Sequence, residues 1–331
     1  MNEFAPYDRE LSVGLVAVHR ASQFCEEIRR TQPSVRIKGD DSPVTLADYG
    51  SQLIVASHLV EAFPDAAVVA EEDVADIEGD PGVGTSLRKS LSEFAVDFDE
   101  RLRSAAVHSL SRDPSLQSRH WTLDPLDGTQ GFLRGDQYCV ALALIEGGQV
   151  RLGILACPNL SPERPAVHQP KGCLFFAVVG HGAWMMPLAG GAKTALRVGS
   201  LDDPRDIEFC ESVERGHSRH DTTRELAEHL GVRRPPVRLD SQCKYAIVAR
   251  GDCTAYLRVP SKPDYEEKIW DHAAGALIVR EAGGQVTDLL GRDLDFSAGR
   301  TLRRNRGILA SNGRLHEAIL TAIHRVQPQS V

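Results

Sequence analysis

Residues 121–129 read Trp-Thr-Leu-Asp-Pro-Leu-Asp-Gly-Thr, so two carboxylates, Asp124 and Asp127, stand three positions apart with Gly128 and Thr129 directly behind them. Carboxylates gathered without a nearby cysteine or histidine pair suit a hard, oxygen-loving cation such as Mg²⁺. The Gly128-Thr129 step offers backbone N–H groups and a hydroxyl beside that cation, and a helix starting there would also attract an anion. A cation on one side and anion donors on the other describe phosphate-ester chemistry. Two further acidic islands fit this reading. In the first, the apolar Val68-Val69-Ala70 runs into Glu71-Glu72-Asp73, and in the second, Trp270-Asp271 opens a long apolar, helix-like stretch. Each island alone has an ordinary reading. Asp-Pro-Leu-Asp-Gly is a turn composition, three consecutive acids make a solvated loop, and Asp271 would cap a helix. Their order and flanks together are more specific.

With those motifs in view, the chain resembles the lithium-sensitive, magnesium-dependent phosphatases that include inositol monophosphatases and fructose bisphosphatases. The matching residues are Glu71-Glu72, Asp124 to Thr129, and Trp270-Asp271 followed by small residues up to Gly283-Gly284. Within that group it is most similar to the 3′(2′),5′-bisphosphate nucleotidases. This likeness rests on residues 38–49, 131–135 and 240–245, and on Ser212-Val213-Glu214 with His217-Ser218. The likeness spans nearly the whole chain apart from roughly residues 74–118. One departure is Gln130, where such proteins usually carry lysine, a change expected to touch surface charge more than metal binding.

The resemblance implies a layered αβαβα sandwich of two subdomains, of mixed α+β and α/β character, divided here into residues 1–198 and 199–331. It implies that Glu71, Asp124 and the Leu126 carbonyl hold one Mg²⁺ and that Asp124, Asp127 and Asp271 hold a second, with Asp124 bridging. Two cations about 3.5–4 Å apart can activate a water and neutralise the phosphoryl and leaving oxygens. Asp48 and Thr129 are then the water-activating pair, with a third, weaker cation reached from Asp48 through water. Without the resemblance Asp48 reads as a helix N-cap. Glu72 reads as an acid that orients ligands. Substrate contacts are implied for the Gly128 and Thr129 amides and for His217, Ser241, Lys244 and Arg258, although the two cations could equally be solvated surface charges on sequence grounds. The run His217-Ser218-Arg219-His220 lacks a helical i, i+4 pair or a cysteine partner, which argues against zinc.

The implied activity is removal of the 3′-phosphate from adenosine 3′,5′-bisphosphate, giving AMP and phosphate, with 3′-phosphoadenosine 5′-phosphosulfate as a further substrate and a place in sulfur assimilation. The alternatives are an inositol polyphosphate 1-phosphatase and, from another class, a silent nucleotide-binding sensor. A sensor has no need of the complete acid set.

The elements that must position these residues are legible in outline. The 331 residues, 42% of them hydrophobic, suffice for a large core. A net charge of −8 with no basic tract speaks against nucleic-acid polymers and anionic membranes as partners. The expected partner is a small phosphorylated nucleotide, met by a monomer or weak oligomer. Seven scattered cysteines without a C-x-x-C read as buried thiols in a reducing compartment. The N-terminus lacks signal or transit character, so the expected location is cytoplasmic.

Apolar spacing predicts helices over 8–30, 48–63, 222–230 and 272–282. Strands are expected at 68–69, 137–145, 149–157, 174–179, 207–211, 245–249 and 255–259, with 38–44 a polar loop. Residues 74–118 read as a surface insert with a little helix, or as a lid. Asn312 is placed as the N-cap of a closing helix.

Overall fold

The computed structural model describes residues 3–31, 35–37, 43–73, 81–94, 104, 107, 118–162, 172–214, 220–262 and 264–326. The chain begins with helix α1 (Asp8–Arg30), a short hairpin of β1 (Val35–Ile37) and β2 (Pro43–Thr45), and helix α2 (Leu46–Ala62). Strand β3 (Val68–Ala70) follows, then helix α3 (Pro81–Glu93). A long meander runs through β4 (Arg119–Asp127), the one-turn helix α4 (Thr129–Arg134), β5 (Cys139–Glu146), β6 (Gln149–Cys157), β7 (Cys173–Val178), β8 (Ala183–Pro187) and β9 (Thr194–Ala195). These strands form a seven-stranded sheet in chain order, antiparallel except for the β3–β4 pair.

The second half contributes β10 (Phe209–Glu211), α5 (His220–Leu230), β11 (Val237–Arg238), α6 (Cys243–Ala249), β12 (Ala255–Arg258), α7 (Ala273–Glu281), β13 (Gln285–Thr287), β14 (Ile308–Ser311) and α8 (His316–Val326). Its five strands order as β11-β10-β12-β14-β13.

The strand alternation explains the layering. On β5, Val140, Leu142 and Leu144 pack with α1 and α2, while Cys139, Ala141, Ala143 and Ile145 face α6 and α7. That is the period of two expected when both faces of a sheet are covered. The second face is lined by small residues, and α7 lies close: a Cβ on Gly153 would stand 2.7 Å from the Ala274 carbonyl oxygen. Beyond α6 and α7 lies the five-stranded sheet. Its far side is closed by α5 and α8 through Phe209, Leu226, Leu257, Leu309, Ile319 and Ile323. The order is therefore helix, sheet, helix, sheet, helix, the αβαβα sandwich.

Three local expectations change. Residues 245–249 form part of helix α6 rather than a strand. The run Tyr-Ala-Ile-Val-Ala is buried on every side, and a short, uniformly apolar run carries no period to tell the two apart. Helix α2 begins at Leu46 with Thr45 as its N-cap, so Asp48 is not the cap but the acid three residues on that completes a capping box. Asn312 stands four residues before α8, its Oδ1 accepting from the Leu315 amide, so it caps the turn leading into that helix. Of the 74–118 insert, α3 is helical, and a lid there lies mostly outside the described residues. No helix among the described residues is long and apolar enough to cross a membrane.

Candidate active site

Regular alternation would send Asp124 and Asp127 to opposite faces of β4, because they are an odd number of residues apart. The pairing of β4 with β5 is irregular between these two residues, and Leu123 and Leu126, also three apart, enter the same apolar core. The bulge at Pro125 therefore turns both carboxylates toward one cleft. Ser51 of α2 donates to the Pro125 carbonyl at 2.6 Å, and the Leu126 amide donates back to Asp124 Oδ1 at 3.1 Å.

Gly128 follows in the left-handed region, at φ 89°. A Cβ there would come within 3.1 Å of the Ser241 side chain and 3.3 Å of Asp240. The turn carrying Thr129 thus abuts the segment carrying the substrate candidates. Gln130 is exposed on the first turn of α4.

Glu71 leaves the end of β3. The next peptide is gripped by Gln52, whose Nε2 donates to the Glu72 carbonyl at 2.9 Å and whose Oε1 accepts from the Glu72 amide at 3.1 Å. Gln242 plays the matching part on the other side. Its amide donates to Asp127 Oδ2 at 2.5 Å, its Nε2 donates to the Trp270 carbonyl at 2.8 Å, and its Oε1 accepts from the Gly275 amide at 3.0 Å. Through its backbone amide and its side chain together, one residue so ties the position of Asp127 to that of Asp271. Arg300 adds a third tie: it donates to the Ala70 carbonyl at 2.6 Å, and its guanidinium lies 4.7 Å from the Trp270 ring centre. The residues preceding Glu71 and Asp271 are therefore held by one cation.

The four acids crowd one another. Burial pushes Asp124 well above the usual carboxylate range, and Glu71, Asp127 and Asp271 push it further. Burial likewise raises Asp127 to about 6, against the pull of Lys244 and the Gln242 amide. Asp271 is raised by burial and by Asp127 and Glu71, with Arg258 opposing. A cluster that holds its protons this tightly against Lys244 and Arg258 is still short of positive charge, and a divalent cation supplies it. All the side-chain donors are hard oxygens, which fits Mg²⁺. Among the described residues these acids are not drawn in to the 4.8 Å spacing at which Glu267, Asp271 and His272 stand.

Thr129 Oγ1 lies 3.3 Å from Asp48 Oδ1 and 3.3 Å from the Leu126 carbonyl. Asp48 is fully buried, and its other oxygen accepts from the Thr45 amide at 2.7 Å and the Thr45 hydroxyl at 2.8 Å. The capping box thereby aims Oδ1 at Thr129.

The substrate candidates are placed differently from one another. Ser241 is buried at φ 65°, a strained setting for a residue with a side chain. Lys244 is buried with its ammonium on the Ser241 carbonyl at 2.7 Å and the Leu239 carbonyl at 3.3 Å, holding that strained bend. Burial lowers its proton affinity and Asp127 partly restores it. Arg258 is buried too, with Nε 2.7 Å from Glu267 Oε2 and a terminal nitrogen 3.3 Å from the Tyr265 hydroxyl. Neither cation is the solvated surface charge that the sequence left open. His217 lies outside the described residues.

Behind Arg258 runs a buried chain in which Glu267 Oε2 meets His272 Nε2 at 3.1 Å and His272 Nδ1 meets the Tyr245 hydroxyl at 2.8 Å. Burial opposes the Glu267 charge, yet Arg258 and His272 bring it down to about 2. Gln52, Gln242, Glu267 and Arg300 were not singled out from sequence. A glutamine carries no spacing signal of its own, although Gln242 lies inside the 240–245 stretch and Glu267 stands four residues before Asp271.

The model of the inositol monophosphatase family matches residues 9–328. A 3′(2′),5′-bisphosphate nucleotidase of Oryza sativa is 44% identical over 338 residues, covering 96% of this chain and 94% of that protein. One of Schizosaccharomyces pombe is 39% identical over 336 residues, covering 96% and 95%. Among solved structures, a Thermotoga maritima IMPase superposes with a TM-score of 0.66 at 21% identity, covering 97% of this chain and 98% of that one, a likeness of fold. The chain belongs to the inositol monophosphatase family.

Proposed function

We propose that this protein is a magnesium-dependent phosphatase that removes the 3′-phosphate of adenosine 3′,5′-bisphosphate to give AMP and phosphate. The observation that carries the reading is the buried acid cluster, short of positive charge, beside the Thr129–Asp48 pair. The nucleotidase relatives, 38–44% identical over nearly their whole length, support the choice of substrate. In this reading Glu71, Asp124 and the Leu126 carbonyl would hold one Mg²⁺, Asp124, Asp127 and Asp271 would hold a second, and Asp48 would reach a third. Bound Mg²⁺ supplies Lewis acidity toward the phosphoryl oxygens and lowers the proton affinity of the attacking water.

The protein's own residues do the rest. Thr129 accepts a hydrogen bond from the water and passes its own proton toward Asp48 Oδ1, which the Thr45 contacts keep aimed at it. The Gly128 and Thr129 amides meet the scissile phosphate. Arg258, whose fork Glu267 orients, meets the second phosphate. Lys244 acts by holding the Ser241 bend and by its charge, so that Ser241 is presented to the substrate, with His217 as a further contact. A silent sensor would not require Thr129 and Asp48 to be in register.

Phosphate release from adenosine 3′,5′-bisphosphate, its 5′-dephosphorylated analogue and inositol 1,4-bisphosphate tests the reading. The bisphosphate nucleotide is expected to give the highest kcat/KM. Arg258→Ala is expected to lower it by about ten- to a hundredfold for the bisphosphate and much less for the analogue. Preference for the inositol phosphate would replace the substrate, and equal losses on both nucleotides would remove Arg258 from phosphate binding.

A further inference from the structure

Cys139, Cys157 and Cys243 come from three different elements, the start of β5, the end of β6 and the start of α6. Their sulfurs nevertheless all lie within 4.8 Å of one another, and all three residues are fully buried. Two come from the seven-stranded sheet and the third from a helix of the other half, so the trio spans the junction between them. Cys139 Sγ also lies 3.6 Å from Asp127 Oδ2, and Cys243 Sγ lies 3.5 Å from the Tyr138 carbonyl. Three sulfurs gathered around one point, with the Asp127 carboxylate against one of them, form a donor set of a different chemical kind from the hard-oxygen cluster next door.

We propose that Cys139, Cys157 and Cys243, with Asp127 as fourth ligand, form an inhibitory site for a thiophilic closed-shell cation such as Zn²⁺ or Cd²⁺. Thiolates select such cations and reject Mg²⁺. Zn–S bonds of about 2.3 Å in a tetrahedron put sulfurs roughly 3.8 Å apart, so the trio needs to contract by about 1 Å at most. Binding forms three metal–sulfur bonds and one metal–oxygen bond and releases the three thiol protons to solvent, with no change of oxidation state. Occupation would inhibit because Asp127 Oδ2 turns to the new cation and because two positive centres would then share one carboxylate. Excess Mg²⁺ would not relieve that inhibition, since it has no affinity for the sulfurs. The ordinary reading of three buried cysteines is packing alone, and the experiment separates the two.

Cd²⁺ is titrated into the Mg²⁺-saturated full-length protein while sulfur-to-cadmium charge-transfer absorption and phosphate release are followed. One equivalent is expected to raise an absorption of three-thiolate intensity and to abolish activity at any Mg²⁺ concentration. Cys157→Ala, away from Asp127, is expected to keep its basal activity and to bind Cd²⁺ at least about tenfold more weakly. Cys157→Ser serves the same purpose should the alanine variant not fold, and Cys253→Ala, outside the trio, is expected to behave as wild type. Absence of the absorption at one equivalent in the wild type, unchanged affinity in the Cys157 variants, or full relief by Mg²⁺ would each overturn the proposal. The inhibition arm rests on the phosphatase reading, whereas the absorption arm does not. A protein that binds Cd²⁺ through its thiolates yet hydrolyses no phosphate ester would overturn that reading and leave this one standing.

Discussion

Asp124, Asp127 and Asp271 sit within one another's negative field, and burial drives all three toward the neutral form. Glu267, no less buried and only four residues from Asp271, is held ionised between Arg258 and His272. The two regions adjoin, yet one is compensated from within and the other only in part. A fold retains buried acids whose charge is only partly offset, here by Lys244 and Arg258, at a cost in stability. Such a set marks where a partner from outside belongs. The compensated region has no such vacancy in its charge balance, and its residues act by placing Arg258.

The contrast predicts opposite signs for superficially similar substitutions. Asp127→Asn removes one of the partly compensated acids. Turnover of adenosine 3′,5′-bisphosphate is expected to fall on the order of 10³-fold, the scale of losing a principal electrostatic contributor, while the metal-free protein becomes more thermostable. A variant that is both inactive and less stable without metal would break the contrast. Glu267→Gln strips the partner from Arg258 and His272. Removing one member of a buried pair typically costs about 3–5 kcal/mol, so a lower melting temperature is expected with or without Mg²⁺. An unchanged melting temperature would mean that Arg258 is compensated elsewhere. Arg300→Ala is the mildest of the three. It releases the Ala70 carbonyl and the Trp270 face but leaves every proposed ligand in place. The Mg²⁺ concentration giving half-maximal activity is expected to rise about tenfold, with turnover at saturating Mg²⁺ little changed. A loss of turnover that saturating Mg²⁺ does not restore would assign Arg300 some part other than holding the two acid-bearing segments.

How much of this was legible beforehand divides along the same line. The acids stand in short motifs with strong local flanks, and the long helix α1 and the β5–β6 hairpin follow from simple periods in the sequence. The proposed relay was half visible. Asp48 is legible as an acid of interest, but its place in the capping box depends on where α2 begins, which Thr45 decides. The compensated region was nearly illegible. Whether Lys244 faces solvent or the interior is set by the packing of α6 against α7, and Arg258 is buried at the end of β12, the central strand of its sheet; α6 itself reads as a strand when its burial is unknown. The glutamines that grip Glu72 and Asp127 act across gaps of 20 and 115 residues, distances over which a single sequence carries no signal. The same holds for the cysteine trio, scattered in the chain and gathered only by the sandwich.

The central claim, that the acid cluster is a charge set awaiting a cation, is tested most directly by thermal unfolding with and without Mg²⁺ as pH is varied. A carboxyl whose proton affinity is raised on folding favours the folded state below its unfolded pKa, and that advantage is lost as pH rises through the folded value. For Asp127 the window runs from the ordinary carboxylate range up to about 6. His316, pushed down to about 4 by burial, works in the opposite direction, but it contributes equally with and without Mg²⁺ and cancels in the difference. The stabilisation given by Mg²⁺ is therefore expected to be small near pH 4, to grow through pH 6 as Asp127 gives up its proton and further as Asp124 and Asp271 give up theirs, and to shrink strongly in Asp127→Asn. A Mg²⁺ effect that is absent at pH 7.5, or equal in the wild type and that variant, would contradict the account.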